Sequence, residues 1–203
     1  MTHSETKIAI LILSAGASNR MGSTTKQLLP WRDTTLLGNA IRSAKQASCN
    51  TVAVVLGSHA NTIQKQVEDE KVQIVFNKNW KSGLGSSISC GISALEKNKM
   101  KYEAVLILLV DQPFIDTAYL NLLITNYLNS SNGIIATNYF DKAGVPAIFD
   151  KTYFSELKEL NTDQGARDLL KKYAKEVILL DPEGKARDMD TLDDNYKALK
   201  YLK

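Results

Sequence analysis

The strongest constraint on the fold is a series of short, nearly unbroken apolar runs separated by stretches with helical periodicity. Runs rich in Val, Ile and Leu occur at 7–13 (KIAILIL), 51–56 (TVAVVL), 72–76 (VQIVF), 104–110 (AVLILLV), 133–137 (GIIAT) and 176–180 (EVILL). Several are continuous rather than alternating, which predicts strands covered on both faces. Between the first two, TLLGNAIRSAKQA places Leu36, Leu37, Ala40, Ile41 and Ala44 at three- and four-residue steps, one apolar face of a helix. Comparable patterns predict helices over 62–67, 88–95, 119–128 and 166–173.

Strands alternating with helices need crossover connections and therefore a mostly parallel sheet. The expected fold is a three-layer α/β/α sandwich of the doubly wound kind, in a single domain spanning 1–203. Ligands in such sheets collect at the carboxyl ends of the strands, which directs attention to the loops beginning at Ser14, Gly57, Asn77 and Asp111. After Gly133 the regularity loosens, and DKAGVPAIFD reads as a turn followed by a short extended piece covering part of the site.

Composition excludes several classes of protein. The net charge is +3, but the lysines are scattered and do not form a stripe with interleaved aromatics, so nucleic acid is not the expected partner. Cys49 and Cys90 form neither a disulfide framework nor the spacing of a zinc site. The first residues, MTHSETK, are polar, and the apolar run behind them is too short for a signal-peptide core or a membrane span. A cytoplasmic protein with no membrane partner is expected.

The first strand runs into Ser14, Ala15, Gly16, Ala17 and Ser18, whose small side chains let a ligand approach the backbone. Successive amide groups there suit anionic oxygens, and Arg20 and Lys26 add positive charge. This describes a polyphosphate cradle; the same composition also fits an ordinary strand-to-helix loop. Neither GxxxxGK[ST] nor GxGxxG is present, and the second strand ends in LGSH without an acidic residue for a ribose diol, which argues against a nicotinamide dehydrogenase.

Two acidic positions and a glycine-bearing turn complete the candidates. Asp111 ends the strand 104–110, and Asp116 is the better cap for the next helix, so Asp111 is available to Mg²⁺ as an oxygen ligand. Near the C-terminus, Thr191 and Asp194 are spaced as a capping box, leaving Asp190 to project from a helix entry, either into the site or to the surface. In NKNWKSGLGSSISCGI, a helix beginning near Ser86 would place Gly85, Ser86 and Ser87 at a helix N-terminus, where phosphate, ribose or base oxygens bind readily; an ordinary capped helix fits equally. Trp80, Met21 and Cys90 read as packing residues and His59 as a surface residue.

The phrase LILSAGASNRMGSTTKQLLPW resembles the signature of nucleotidyltransferases that activate small molecules, and specifically the molybdenum cofactor cytidylyltransferase branch with its L-x-A-G-x-S-x-R-M-G and K-Q-L-L-P-W. VDQP, MDT, the NKNWKSGLGSS segment, GVPAIF and TDQGAR also resemble that branch in order, although relatives usually carry glycine where this chain has Thr162. The resemblance implies a Rossmann-like sheet of the nucleotide-diphospho-sugar transferase type. It implies that Leu13, Ser14, Ala15 and Gly16 surround the nucleotide with Gly85, Ser86 and Ser87, and that Arg20 and Lys26 contact its phosphates. Asp111 and Asp190 would hold Mg²⁺ or Mn²⁺, and Gln112, Pro113, Gly144 and Pro146 would lie around the acceptor. The implied reaction joins CTP to the terminal phosphate of a molybdopterin-type acceptor with release of pyrophosphate, with a molybdoenzyme as recipient. Two alternatives stay open: transfer to a sugar or polyol phosphate, and a non-catalytic nucleotide-binding module serving a molybdoenzyme.

Overall fold

The computed structural model describes residues 6–17, 25–189 and 194. Its main sheet contains β1 (Ile8–Ser14), β4 (Thr51–Leu56), β5 (Gln73–Phe76), β6 (Ala104–Leu109), β7 (Ile134–Tyr139), β8 (Lys142–Asp150) and β9 (Val177–Leu180). A separate small hairpin, β2 (Pro30–Trp31) and β3 (Thr34–Thr35), leads into the first helix. The order across the main sheet is β5-β4-β1-β6-β8-β7-β9. All neighbouring pairs are parallel except those made by β8, which runs antiparallel to both β6 and β7.

The helices are α1 (Leu36–Gln46), α2 (Ala60–Gln66), α3 (Leu84–Glu96), α4 (Thr117–Asn129), α5 (Phe154–Glu159) and α6 (Arg167–Lys172). Every residue of β1 is buried because its two sets of side chains enter different cores. Ile8, Ile10 and Ile12 pack with α1, α2 and α4, whereas Ala9, Leu11 and Leu13 pack with α3, α5 and α6. This is the doubly wound three-layer sandwich expected from continuous apolar strands. Among the described residues no helix is long and apolar enough to cross a membrane.

Local chemistry sets the helix entries. Thr35 accepts from the Gly38 amide at 3.0 Å to start α1, and Asp116 Oδ1 accepts from the Tyr119 amide at 2.9 Å to start α4, as its sequence position predicts. α3 begins at Leu84, ahead of the expected start near Ser86, because Gly83 at φ 99° breaks the chain just before it.

The stretch 141–150 departs from expectation. It is not a turn with a short extended piece but the nine-residue β8, lying between β6 and β7. Pro146 sits where the β7–β8 register jumps: Ala136 pairs with Ala147 and Thr137 with Gly144, so Val145 and Pro146 form a bulge. A residue without an amide hydrogen costs no ladder bond there. Thr137 Oγ1 donates to the Pro146 carbonyl at 2.7 Å instead.

Candidate active site

The carboxyl ends of β1 and β6 open onto a cleft of about 490 Å³, lined on one side by Leu13, Ser14, Ala15, Gly16 and Ala17. Gln27 fixes this loop. Its side chain is buried, and Nε2 donates to the Ser14 carbonyl at 3.2 Å and the Gly16 carbonyl at 2.9 Å. Across the loop, the Ser58 amide donates to the Ala15 carbonyl at 3.0 Å. Gly57 makes that approach possible, since a Cβ there would stand 2.5 Å from Trp80 Cβ and 2.7 Å from the Ala15 carbonyl oxygen. A Cβ on Gly16, by contrast, would meet no atom of the described residues within 4 Å, so among them the loop presents its backbone to open space.

Lys26 opens a single 3₁₀ turn, Lys26–Leu28, which turns its side chain towards the end of β6. There Nζ lies 2.7 Å from Asp111 Oδ2, with both side chains mostly covered at 13% and 23% exposure. Asp111 Oδ1 is buried and meets no donor among the described residues. A carboxylate oxygen desolvated in this way, at the rim of a cleft, has the chemistry of a ligand for a hard divalent cation. Among the described residues no group of three His, Cys, Asp or Glu side chains gathers here. Asp190, the second carboxylate named by the sequence, and Arg20 lie outside the described residues.

The opposite wall comprises Trp80, Lys81, Gly83, Leu84, Ser87 and Asp163. Ser87 therefore stands where the sequence places it. Gly85 and Ser86 do not line the cleft: the Gly85 amide donates to the Thr162 carbonyl at 2.8 Å, and Ser86 Oγ donates to the carbonyls of Asn79 and Gly83. Buried Asn77 donates to both Ser86 Oγ and Ser87 Oγ, tying the end of β5 to the start of α3. Trp80 packs against Gly57 as a fixing residue, and also forms part of the cleft surface. His59 is exposed at the entry to α2. Cys90 carries a thiol raised by burial, which suits a packing residue.

A second cavity of about 700 Å³ adjoins the first through shared residues Leu13, Leu84 and Leu109. Gln112, Tyr139, Gly144, Val145 and Asp188 line it, and Lys142, Arg167 and Lys171 add three cations. Of the residues that the sequence assigned to an acceptor, Gln112 and Gly144 are in this wall. Pro113 and Pro146 are not: the Pro113 carbonyl is held by Asn39 Nδ2 at 3.0 Å, and Pro146 is spent in the bulge. Asp188, two residues before Asp190, faces this cavity and accepts from Gln112 Nε2 at 3.0 Å. The Met189 amide donates to the Asp111 carbonyl at 2.8 Å, so the strap carrying Asp188 is anchored beside the end of β6.

Comparison with known proteins agrees with this architecture. The description "MobA-like NTP transferase domain" matches residues 10–177. Nicotine blue oxidoreductase of Paenarthrobacter nicotinovorans is 29% identical over 197 residues, covering 93% of this chain and 95% of that protein. The molybdenum cofactor cytidylyltransferase of Escherichia coli K12 is 30% identical over 90 residues, 44% of this chain and 46% of its own. The crystal structure of Rv0371c from Mycobacterium tuberculosis H37Rv has a TM-score of 0.84 at 30% identity, covering 96% of this chain and 98% of its own. The manganese complex of that protein has a TM-score of 0.78 at 29% identity, with the same coverage. A chain with this sheet, this cleft and these matches belongs to the MobA-like NTP transferase domain family of nucleotidyltransferases.

Proposed function

We propose that the protein transfers a cytidylyl group from CTP to the terminal phosphate of a molybdopterin-type acceptor, releasing pyrophosphate. The observation that carries this reading is the division of labour between consecutive residues at the end of β6. Asp111 lines the first cleft and Gln112 lines the second, so the two cavities meet where two substrates would have to meet. The first cleft, with its backbone-presenting loop and Lys26, suits a nucleoside triphosphate. The second, with apolar walls and three cations against the two carboxylates Asp141 and Asp188, suits an anionic acceptor carrying a ring system.

In the proposed reaction an acceptor phosphate oxygen bonds to the α-phosphorus in line, the bond from that phosphorus to the bridging oxygen breaks, and pyrophosphate leaves with the electron pair. Lys26 offsets charge on the phosphates, and the Ser14–Ala17 backbone, braced by Gln27, holds them in register. The desolvated Asp111 oxygen, with Asp190 as the second carboxylate that the family resemblance implies, would hold Mg²⁺ or Mn²⁺, which would supply neutralisation of phosphate charge. Arg20, which lies outside the described residues, would add to the positive charge on the phosphates as the family resemblance implies. The buried Ala15 methyl narrows the cleft beside the loop and so favours a pyrimidine over a purine.

The test is pyrophosphate release with CTP or GTP, Mg²⁺ or Mn²⁺, and a molybdopterin acceptor. Release with CTP and acceptor together supports the reading; tighter binding of GTP than of CTP removes the cytidylyl assignment. A second reading comes from the near full-length relative named an oxidoreductase. Turnover of a redox dye by the purified protein, in the absence of pyrophosphate release, would favour it.

A further inference from the structure

Gln112 is only 4% exposed, and its side-chain amide has very uneven surroundings. Nε2 stands 2.7 Å from the Tyr139 hydroxyl, 3.0 Å from Asp188 Oδ1 and 3.2 Å from the Val145 carbonyl. Oε1, on the same amide, is buried and meets no donor among the described residues. Exchanging the two ends would set Oε1 against a carboxylate and a carbonyl oxygen, so the neighbours select one orientation. Tyr139 does not relieve this preference, because its single hydroxyl hydrogen goes to the Val145 carbonyl at 2.5 Å. Burial, with Asp188 acting next, pushes that phenol above its ordinary range, so the hydrogen stays in place.

Gln112 and all three of these neighbours line the second cavity. An acceptor oxygen held in one orientation without a donor among the described residues is costly unless something that enters the cavity supplies the donor.

We infer that Gln112 is a specificity-determining residue that presents Oε1 to an N–H donor on the ring of the acceptor molecule. The inference rests on reading the second cavity as the acceptor's. Leu84, Leu109 and Val145 are partly exposed apolar residues of the lining that a flat ring can rest on, and the cations Lys142, Arg167 and Lys171, which outnumber the lining carboxylates Asp141 and Asp188, suit an anionic substituent on that ring. Replacing the ring N–H by N–CH₃ removes the donor and leaves Oε1 buried against a methyl group.

The experiment uses the full chain and two fluorescent probes, lumazine-6-carboxylate and its 1,3-dimethyl counterpart, which differ in their ring N–H groups but share the carboxylate. The wild type is expected to bind the N–H probe about tenfold more tightly or better. In Gln112→Met, which keeps the length of the side chain without its oxygen, that preference is expected to fall to about twofold or less, through weaker binding of the N–H probe. Tyr139→Phe is expected to keep the preference, because Asp188 and Val145 still orient the amide. Failure of the wild type to bind or to discriminate the probes, or full discrimination by Gln112→Met, overturns the inference. If Gln112→Met does not fold, the wild-type contrast together with Tyr139→Phe decides. Pyrophosphate release is measured separately: its absence with every nucleotide would defeat the proposed function, whereas a missing probe contrast alongside normal release would defeat this inference alone.

Discussion

Lys26 Nζ lies 2.7 Å from Asp111 Oδ2, a contact joining positions 85 residues apart in the chain. It brings the only positive charge seen on the loop side among the described lining residues against the carboxylate that ends β6, with Lys81 on the opposite wall. The two groups therefore act on the same point in space, and removing either changes the field there. Asp111→Asn and Lys26→Ala are each expected to lower the rate of pyrophosphate release by about 10²–10³-fold. Because they act as a unit, the double variant should fall about as far as the worse single variant, not by the product of the two. Steady-state kinetics on the three proteins, with circular dichroism to establish folding, checks this.

Gln27 makes a different prediction, because its role is bracing. Gln27→Ala leaves the Ser14 and Gly16 carbonyls without the amide that now reaches both. The expected cost is about 1–3 kcal/mol of stability, read by chemical denaturation. CTP affinity should fall alongside, because the loop that presents its backbone loses its fixed shape. Unchanged affinity with lowered stability would show that the brace serves the fold alone.

Two glycines separate packing from recognition. Gly57→Ala drives a methyl into Trp80 and the Ala15 carbonyl, and is expected to destabilise the protein by about 1–3 kcal/mol. Gly16→Ala meets no atom of the described residues, so its stability should stay within about 0.5 kcal/mol of wild type. Its CTP affinity should nevertheless drop, since the added methyl occupies the space that the ligand would use. Melting curves and calorimetric titration of both variants distinguish the two effects.

Acid sensitivity has a locatable source at Asp116. Burial alone would raise its carboxyl, but the Tyr119 amide and the Lys185 ammonium outweigh burial and hold it below the ordinary value. A native value below the unfolded one, about 3.9, means that this stabilisation is present above that pH and is lost as pH falls through the native value. Asp116→Asn retains a capping oxygen and is expected to keep most of the neutral-pH stability while losing this acid dependence. Asp116→Ala loses the cap as well, at a cost of about 1 kcal/mol. Urea denaturation between pH 2 and 7, values set at about the carboxylate range, reads both.

The parallel half of the sheet was legible because its strands bury both faces. Thr51–Leu56 is the strand that its apolar run predicts, and Ile8–Ser14 differs from its run by a single residue at each end. β8 reads in the sequence only as a short extended piece after a turn because its glycine and proline break the pattern that marks a central strand, and the bulge that accommodates Pro146 is a tertiary arrangement with β7. In the site, the rule that ligands gather at carboxyl strand ends led directly to Leu13–Gly16 and Asp111. Gln27 was passed over because a buried amide bracing a loop has the same letter as an exposed one. Ser86 failed for the converse reason: a hydroxyl at a helix start looks available until its Asn79, Gly83 and Asn77 contacts are known. Asp188 joined the site only through a tertiary contact, the Met189 amide fastening its strap beside Asp111.

The reversed direction of β8 has a consequence for how such a molecule can diversify. The Ser14–Ala17 wall hangs from strands that all run one way, whereas Tyr139, Lys142 and Gly144 hang from a hairpin whose tip, Phe140 and Asp141, projects outward in the left-handed conformation. Lengthening or reshaping that tip alters one chamber without unseating the other. Descendants of such a scaffold can change what they accept on one side while inheriting the opposite side intact.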